Sequence, residues 1–151
     1  MPEPLFETST PRHDLPLLFA GQAQKETFVN EMASRIDALL FLAIEGEAAS
    51  PPATPTEGTS WLVGANPTGD WSGKAGLIAS RQAGNWLFCY PRDGMRVLNK
   101  ATGQEIRFDG QWRIAARPAL PSGGSTVDAE ARTAIAAILV ALTTAGIVAE
   151  S

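Results

Sequence analysis

The stretch Met95-Arg-Val-Leu-Asn-Lys-Ala-Thr-Gly-Gln-Glu-Ile-Arg-Phe-Asp-Gly-Gln-Trp-Arg-Ile114 decides how the chain reads. Three short runs, 95–98, 105–108 and 112–114, alternate apolar and polar side chains, the period of a strand with one buried face. Lys100-Ala-Thr-Gly103 separates the first two and predicts a longer hairpin loop. Asp109-Gly110 separates the last two, and tight hairpin turns favour that pair because both residues tolerate positive φ. The segment predicts three antiparallel strands.

The same character extends upstream. Trp61-Leu-Val63, Leu77-Ile-Ala79 and Trp86-Leu-Phe-Cys-Tyr90 are further short runs between Gly, Asp and Asn, so the β region covers 57–116. Gly69-Asp-Trp71, Gly84-Asn-Trp86 and Gly110-Gln-Trp112 form a weak repeat, spaced too irregularly for propeller blades or a solenoid. Each glycine closes a turn, and each tryptophan enters a strand and fills the core. Trp71 is the exception, because Asn66-Pro-Thr-Gly-Asp-Trp-Ser-Gly73 reads as a loop. A loop tryptophan suits stacking on a sugar ring, which makes Asp70 and Trp71 a candidate glycan site. Tyr90 and Arg92, just past a strand end, are its candidate polar contacts.

Helices flank the β region. In 21–46, Val29, Met32, Ile36, Leu39 and Ala43 recur at alternating spacings of three and four, widened by Phe28, Leu40 and Ile44, and Gly46 is placed to stop the helix. Ser50-Pro-Pro-Ala-Thr-Pro55 reads as a stiff linker. The C-terminal region, 125–151, carries Ile135, Ile138 and Leu142 on one stripe, with Ser125, Thr126 and Asp128 as capping residues and Gly146 at the end. The first 20 residues form an arm broken by Pro2, Pro4, Pro11 and Pro16, whose apolar tail predicts docking in a groove of its own subunit or a neighbour. The fold class is therefore α+β, a small mainly antiparallel β domain between an N-terminal and a C-terminal helix.

Both helices are too short to be stable alone in water, so each must bury its stripe. Either they pack within the chain, or copies of the chain meet along them, and the seam spacing favours copies. Ile135 and Ile138 on adjacent seam positions favour three or more strands, while Val29 and Ile36 alternating with Met32 and Leu39 favour two.

Composition excludes several functions. The chain of 151 residues has a net charge of −4 and a pI near 5.0, and no Lys/Arg cluster appears along it, so nucleic acid is not an expected partner. The single cysteine, Cys89, lies in an apolar run and reads as a buried inert thiol, excluding an internal disulfide and a thiolate metal cluster. His13, the one histidine, sits in the arm and reads as solvent-exposed, so no histidine-based triad or metal site is expected. No phosphate loop is present, and Asp70 and Asp93 read as turn residues rather than a glycosidase pair. The reading is of no enzyme, no cofactor and no metal. The acidic start lacks the pattern of a secretory signal and no run is long enough to span a bilayer, so membrane insertion is not expected.

Several segments together resemble an uncharacterised family met in tail-fibre, spike and related genes of phages, prophages and gene transfer agents. They are 10–25, above all the run from Pro11 to Lys25, then Val29-Asn-Glu31, Arg35-Ile-Asp-Ala-Leu39, 52–58, Gly69-Asp-Trp-Ser-Gly73, Gly76-Leu-Ile-Ala79, Gly84-Asn-Trp86, Asp109-Gly-Gln-Trp112 and 126–135. The resemblance implies a virion component made in the bacterial cytoplasm, a homo-oligomer such as a trimer, contacting other virion proteins near the host-facing apparatus. It carries over no catalytic residues. A module binding a host-surface polysaccharide is the alternative, and a polysaccharide-degrading enzyme the third reading.

Overall fold

The computed structural model describes residues 8–21 and 25–149. Residues 1–7 of the arm, 22–24 of the expected first helix and the terminal pair 150–151 lie outside the described residues. The fold is α+β, and two units divide it: residues up to Pro91, and residues from Arg92 onward.

In the first unit, α1 (Lys25–Leu39) is followed by β1 (Ala43–Ile44), β2 (Glu47–Ala48), β3 (Ser60–Val63), β4 (Ile78–Gln82) and β5 (Asn85–Cys89). The sheet runs β2-β3-β4-β5, parallel at β2-β3 and antiparallel thereafter. Ser60, Leu62, Ile78, Ser80, Gln82 and Cys89 share the face towards α1, where Ser60 and Ser80 hydroxyls pair across the strands at 2.8 Å. Trp61, Val63, Ala79, Trp86 and Phe88 make the opposite face. A tight β4–β5 turn, Ala83-Gly84 with both φ positive, fixes that register.

The expected helix to residue 46 ends at Leu39 instead. Its last carbonyls are taken by a residue far away in sequence. Arg12 donates from Nη1 to the carbonyls of Asp37 (2.8 Å) and Ala38 (2.9 Å) and from Nη2 to that of Phe41 (2.9 Å). These groups have no partner within a helix, and a cation there also matches the helix dipole. Phe41 then takes a left-handed conformation, φ 48°, and the chain turns into β1, where Ile44 is fully buried. The described arm thus docks on its own subunit: Leu18 exchanges hydrogen bonds with the Asn30 side chain at 2.8 and 3.0 Å.

The Pro51–Pro55 stretch is a loop inside this unit, not a boundary, because β2 before it pairs with β3 after it. The boundary falls after Pro91, so the expected single β domain over 57–116 is divided, with β3–β5 in the first unit and the last three strands in the second.

The second unit holds β6 (Arg96–Asn99), β7 (Gln104–Phe108), β8 (Trp112–Arg113) and α2 (Ala129–Thr144). β6-β7-β8 is the antiparallel meander expected, with Asn99 opposite Gln104 and Phe108 opposite Trp112. Val97 and Ile106 are buried on the inner face, and Phe108 and Trp112 meet edge to face at 5.2 Å. Asp128 caps α2 by accepting from the Ala131 N–H at 2.8 Å. Past its end, Gly146 takes φ +69° and its carbonyl accepts from the Glu105 N–H at 2.7 Å. A Cβ there would lie 3.3 Å from the Gly103 carbonyl oxygen, so glycine permits the close approach as well as the turn.

Candidate assembly surface

The helices' buried residues are few and their exposed apolar residues many. α1 turns Ala33, Asp37 and Ala38 inward. Asp37 is fully buried and its carboxylate accepts from the Thr10 hydroxyl (2.7 Å), the His13 N–H (2.7 Å), the Gln82 amide (2.9 Å) and the Arg12 N–H (3.3 Å). Burial, the strongest single influence, pushes this carboxyl up, but the hydrogen bonds from Gln82, Thr10, His13 and Arg12 together outweigh it and hold the carboxyl below its usual range. Asp37 therefore stays ionised and joins arm, helix and sheet at one point. His13, expected in solvent, is half-buried beside it, with Nε2 3.1 Å from the Leu40 carbonyl oxygen.

The outward side of α1 carries Phe28, Met32 and Ile36 four residues apart, then Leu39 and Leu40, with Phe41 just beyond. Phe28 is 77% exposed and Phe41 83%. Of the expected seam, Met32, Ile36 and Leu39 are exposed and Val29 is half-buried.

α2 goes further. Residues 134–142, Ala-Ile-Ala-Ala-Ile-Leu-Val-Ala-Leu, include no polar side chain, yet only Leu139 of the helix is buried. Ile135 and Ile138 of the expected stripe are exposed, Leu142 is half-buried, and Val140, on the other side of the helix, is 61% exposed. A helix apolar on all sides belongs in an interior. Among the described residues no helix is long and apolar enough to cross a membrane.

The expected exposure of Trp71 is not found. Trp71 lies in a single 3-10 turn, Gly69–Trp71, but it is fully buried, packed on Val63 and Ala79 and edge to face with Trp86 at 5.1 Å. A turn this short offers no core of its own, so the indole drops onto the bare face of the sheet. Trp71→Ala would report on folding and not on ligand contact. Asp70 is exposed next to it, and Tyr90 is exposed just past β5, while Arg92 belongs to the second unit. Asp93 accepts from the Gly110 N–H at 2.8 Å and so holds the β7–β8 loop. Cys89 is buried, and burial pushes its thiol up against the opposing pull of Arg35. Among the described residues no group of three or more His, Cys, Asp or Glu is placed to hold a metal ion.

Strand register builds what the linear sequence hides. Arg96 stands opposite Arg107, and Arg107 opposite Arg113, so three arginines line up across β6, β7 and β8 on the exposed face. The absence of a Lys/Arg cluster along the chain does not hold in space.

Residues 29–113, more than half of the chain, match the profile of a family described as a protein of unknown function, DUF2793. The chain belongs to the DUF2793 family. The match runs from within α1 to the end of β8, taking in Met32, Ile36, Leu39, Leu40 and Phe41 of the α1 surface and all three aligned arginines, while Phe28 and α2 lie outside it. No curated protein matches the chain.

Proposed function

We propose that this DUF2793 protein is a non-enzymatic structural component of a phage or gene-transfer-agent particle, a tail-fibre, spike or adaptor subunit that assembles through copies of its own helices. The observation that carries the assembly part is α2, whose Ile135, Ile138 and Val140 are exposed on a helix with one buried residue. Each is about half exposed, so burying it contributes about half of the roughly 1.5–3 kcal/mol of a full side chain, and several such residues from each of a few copies meeting along α2 together offset the entropy of association. Ile135 and Ile138 on adjacent seam positions favour three or more helices on the axis. The exposed stripe of α1 adds a second surface of the same kind. The particle part rests on the resemblance of the Pro11–Lys25 run and the segments after it to phage and gene-transfer-agent proteins.

Deleting the arm would not test this cleanly, because Thr10, Arg12 and His13 hold the end of α1. Particle content does. Mass spectrometry of particles purified from a producing strain is expected to find the chain among the virion proteins. Recovery of the chain from the cell fraction alone, with purified particles lacking it, would contradict the particle assignment.

A further inference from the structure

The aligned arginines run against the ordinary pairing preference of a sheet. Like charges directly opposite one another weaken a sheet, and Arg96, Arg107 and Arg113 occupy successive cross-strand positions. Two carboxylates answer them in part: Glu105 lies 3.3 Å from Arg96 and Asp109 3.0 Å from Arg107. Both pairs are well exposed, and exposed pairs hold weakly and exchange readily for a better partner. With its amide oxygen turned towards Arg113, Gln111 accepts from both Nη atoms, at 2.8 and 3.0 Å. All three guanidinium groups are thus held in place by groups that a ligand anion can replace.

The row also borders a shallow cleft of about 270 Å³, lined by the three arginines and Glu105 with Ile114 and Ile147. Adjacent strands lie about 4.8 Å apart, so the row spans roughly 10 Å. Guanidinium groups bind carboxylates in a bidentate fork, which a row of this length offers to more than one acidic group in succession. Exposed Ile114 and Ile147 give an apolar wall for the carbon face of a sugar ring, and Glu105 gives an acceptor for its hydroxyls. A nucleic acid is less suited, because the residues lining the cleft include no aromatic face on which a base could stack.

The geometry points to the outer face of β6–β7–β8 as a binding site for an acidic polysaccharide whose sugars carry carboxylates. The site stands on the sheet face alone and survives failure of the particle assignment, since it is measured on the purified chain. The test is titration of the full-length protein with polygalacturonate, neutral dextran, dextran sulfate and single-stranded DNA at physiological ionic strength. Polygalacturonate is expected to bind and dextran not to. The triple variant Arg96→Gln, Arg107→Gln, Arg113→Gln is expected to bind polygalacturonate at least about tenfold more weakly, the loss expected for charge-assisted hydrogen bonds. All three side chains are exposed and their mutual repulsion is removed, so its melting temperature is expected to be no lower than the wild type's, which separates lost binding from lost folding. Where that variant melts early, the single variant Arg107→Gln replaces it, with the same expectation of weakened binding. No binding of polygalacturonate, binding equal to that of dextran, or binding unchanged by loss of the arginines would overturn the proposal. Tighter binding of dextran sulfate or DNA than of polygalacturonate would overturn it as well, in favour of a sulfate or phosphate ligand.

Discussion

The double variant Ile135→Glu, Ile138→Glu is expected to behave in solution as a single 16.0 kDa chain where the wild type forms a multiple of it. Each substitution removes an exposed isoleucine from α2 and places a carboxylate where a neighbouring copy would bury it. Ile135 is 40% exposed and Ile138 58%, so the apolar burial lost is about half of the roughly 1.5–3 kcal/mol of a full side chain, and burying an unpaired charge costs several kcal/mol more. The apolar loss alone weakens association about tenfold, and the charge penalty carries the total beyond about a hundredfold. The fold of the isolated subunit is expected to survive, because both positions face away from its core and glutamate is a good helix former. Sedimentation at micromolar concentration, with circular dichroism as the folding control, checks both halves. An unchanged association state in a folded variant would remove α2 from the interface.

The second large effect is at Asp37. Asp37→Ala leaves the Thr10 hydroxyl, the Gln82 amide and the N–H groups of Arg12 and His13 without their acceptor inside the first unit. Unsatisfied buried donors cost about 1–3 kcal/mol each, with partial relaxation, so a loss of roughly 3–5 kcal/mol is expected. That is a large share of the stability of a small domain. The pH dependence has a definite sign. Because the folded carboxyl titrates below its unfolded value, its contribution is fully present above the ordinary carboxylate pKa of about 4 and is lost as pH falls through the lower folded value. Asp37→Asn is expected to flatten this part of the acid unfolding curve while leaving the neutral side unchanged in shape. Denaturant melts followed by the fluorescence of Trp61, Trp71 and Trp86 in the first unit measure both quantities. A variant as stable as the wild type would show that the arm is dispensable to the fold.

What the sequence disclosed follows from how local each determinant is. The β6–β7–β8 meander was legible because Lys100–Gly103 and Asp109-Gly110 carry their turn chemistry within a few residues. The cap of α2 was legible for the same reason, since Asp128 acts on the N–H of Ala131 three residues on. The end of α1 was not, because Ala43 and Ile44 continue the helical spacing while the stop comes from Arg12, some 25 residues away. β1 and β2 were missed with it, at two residues each too short to show a period.

The candidate sites divide along the same line. That Met32, Ile36 and Leu39 share one helix face, and Ile135 and Ile138 another, follows from helical period, which a single segment contains; that these faces are exposed does not. The burial of Trp71 is not legible in its own loop, because it depends on a bare sheet face formed by Val63, Ala79 and Trp86. The arginine row depended on register between three strands. Its only trace in the sequence is that each run carries one arginine at an outward position, and that becomes meaningful only when the hairpins align them.

The direct measurement is the mass of the purified, full-length wild-type chain in solution, by light scattering over a range of concentrations. A stable multiple of 16.0 kDa that falls to one subunit with the α2 glutamate substitutions is the predicted result. A folded wild-type protein that remains at 16.0 kDa up to high concentration would contradict the account.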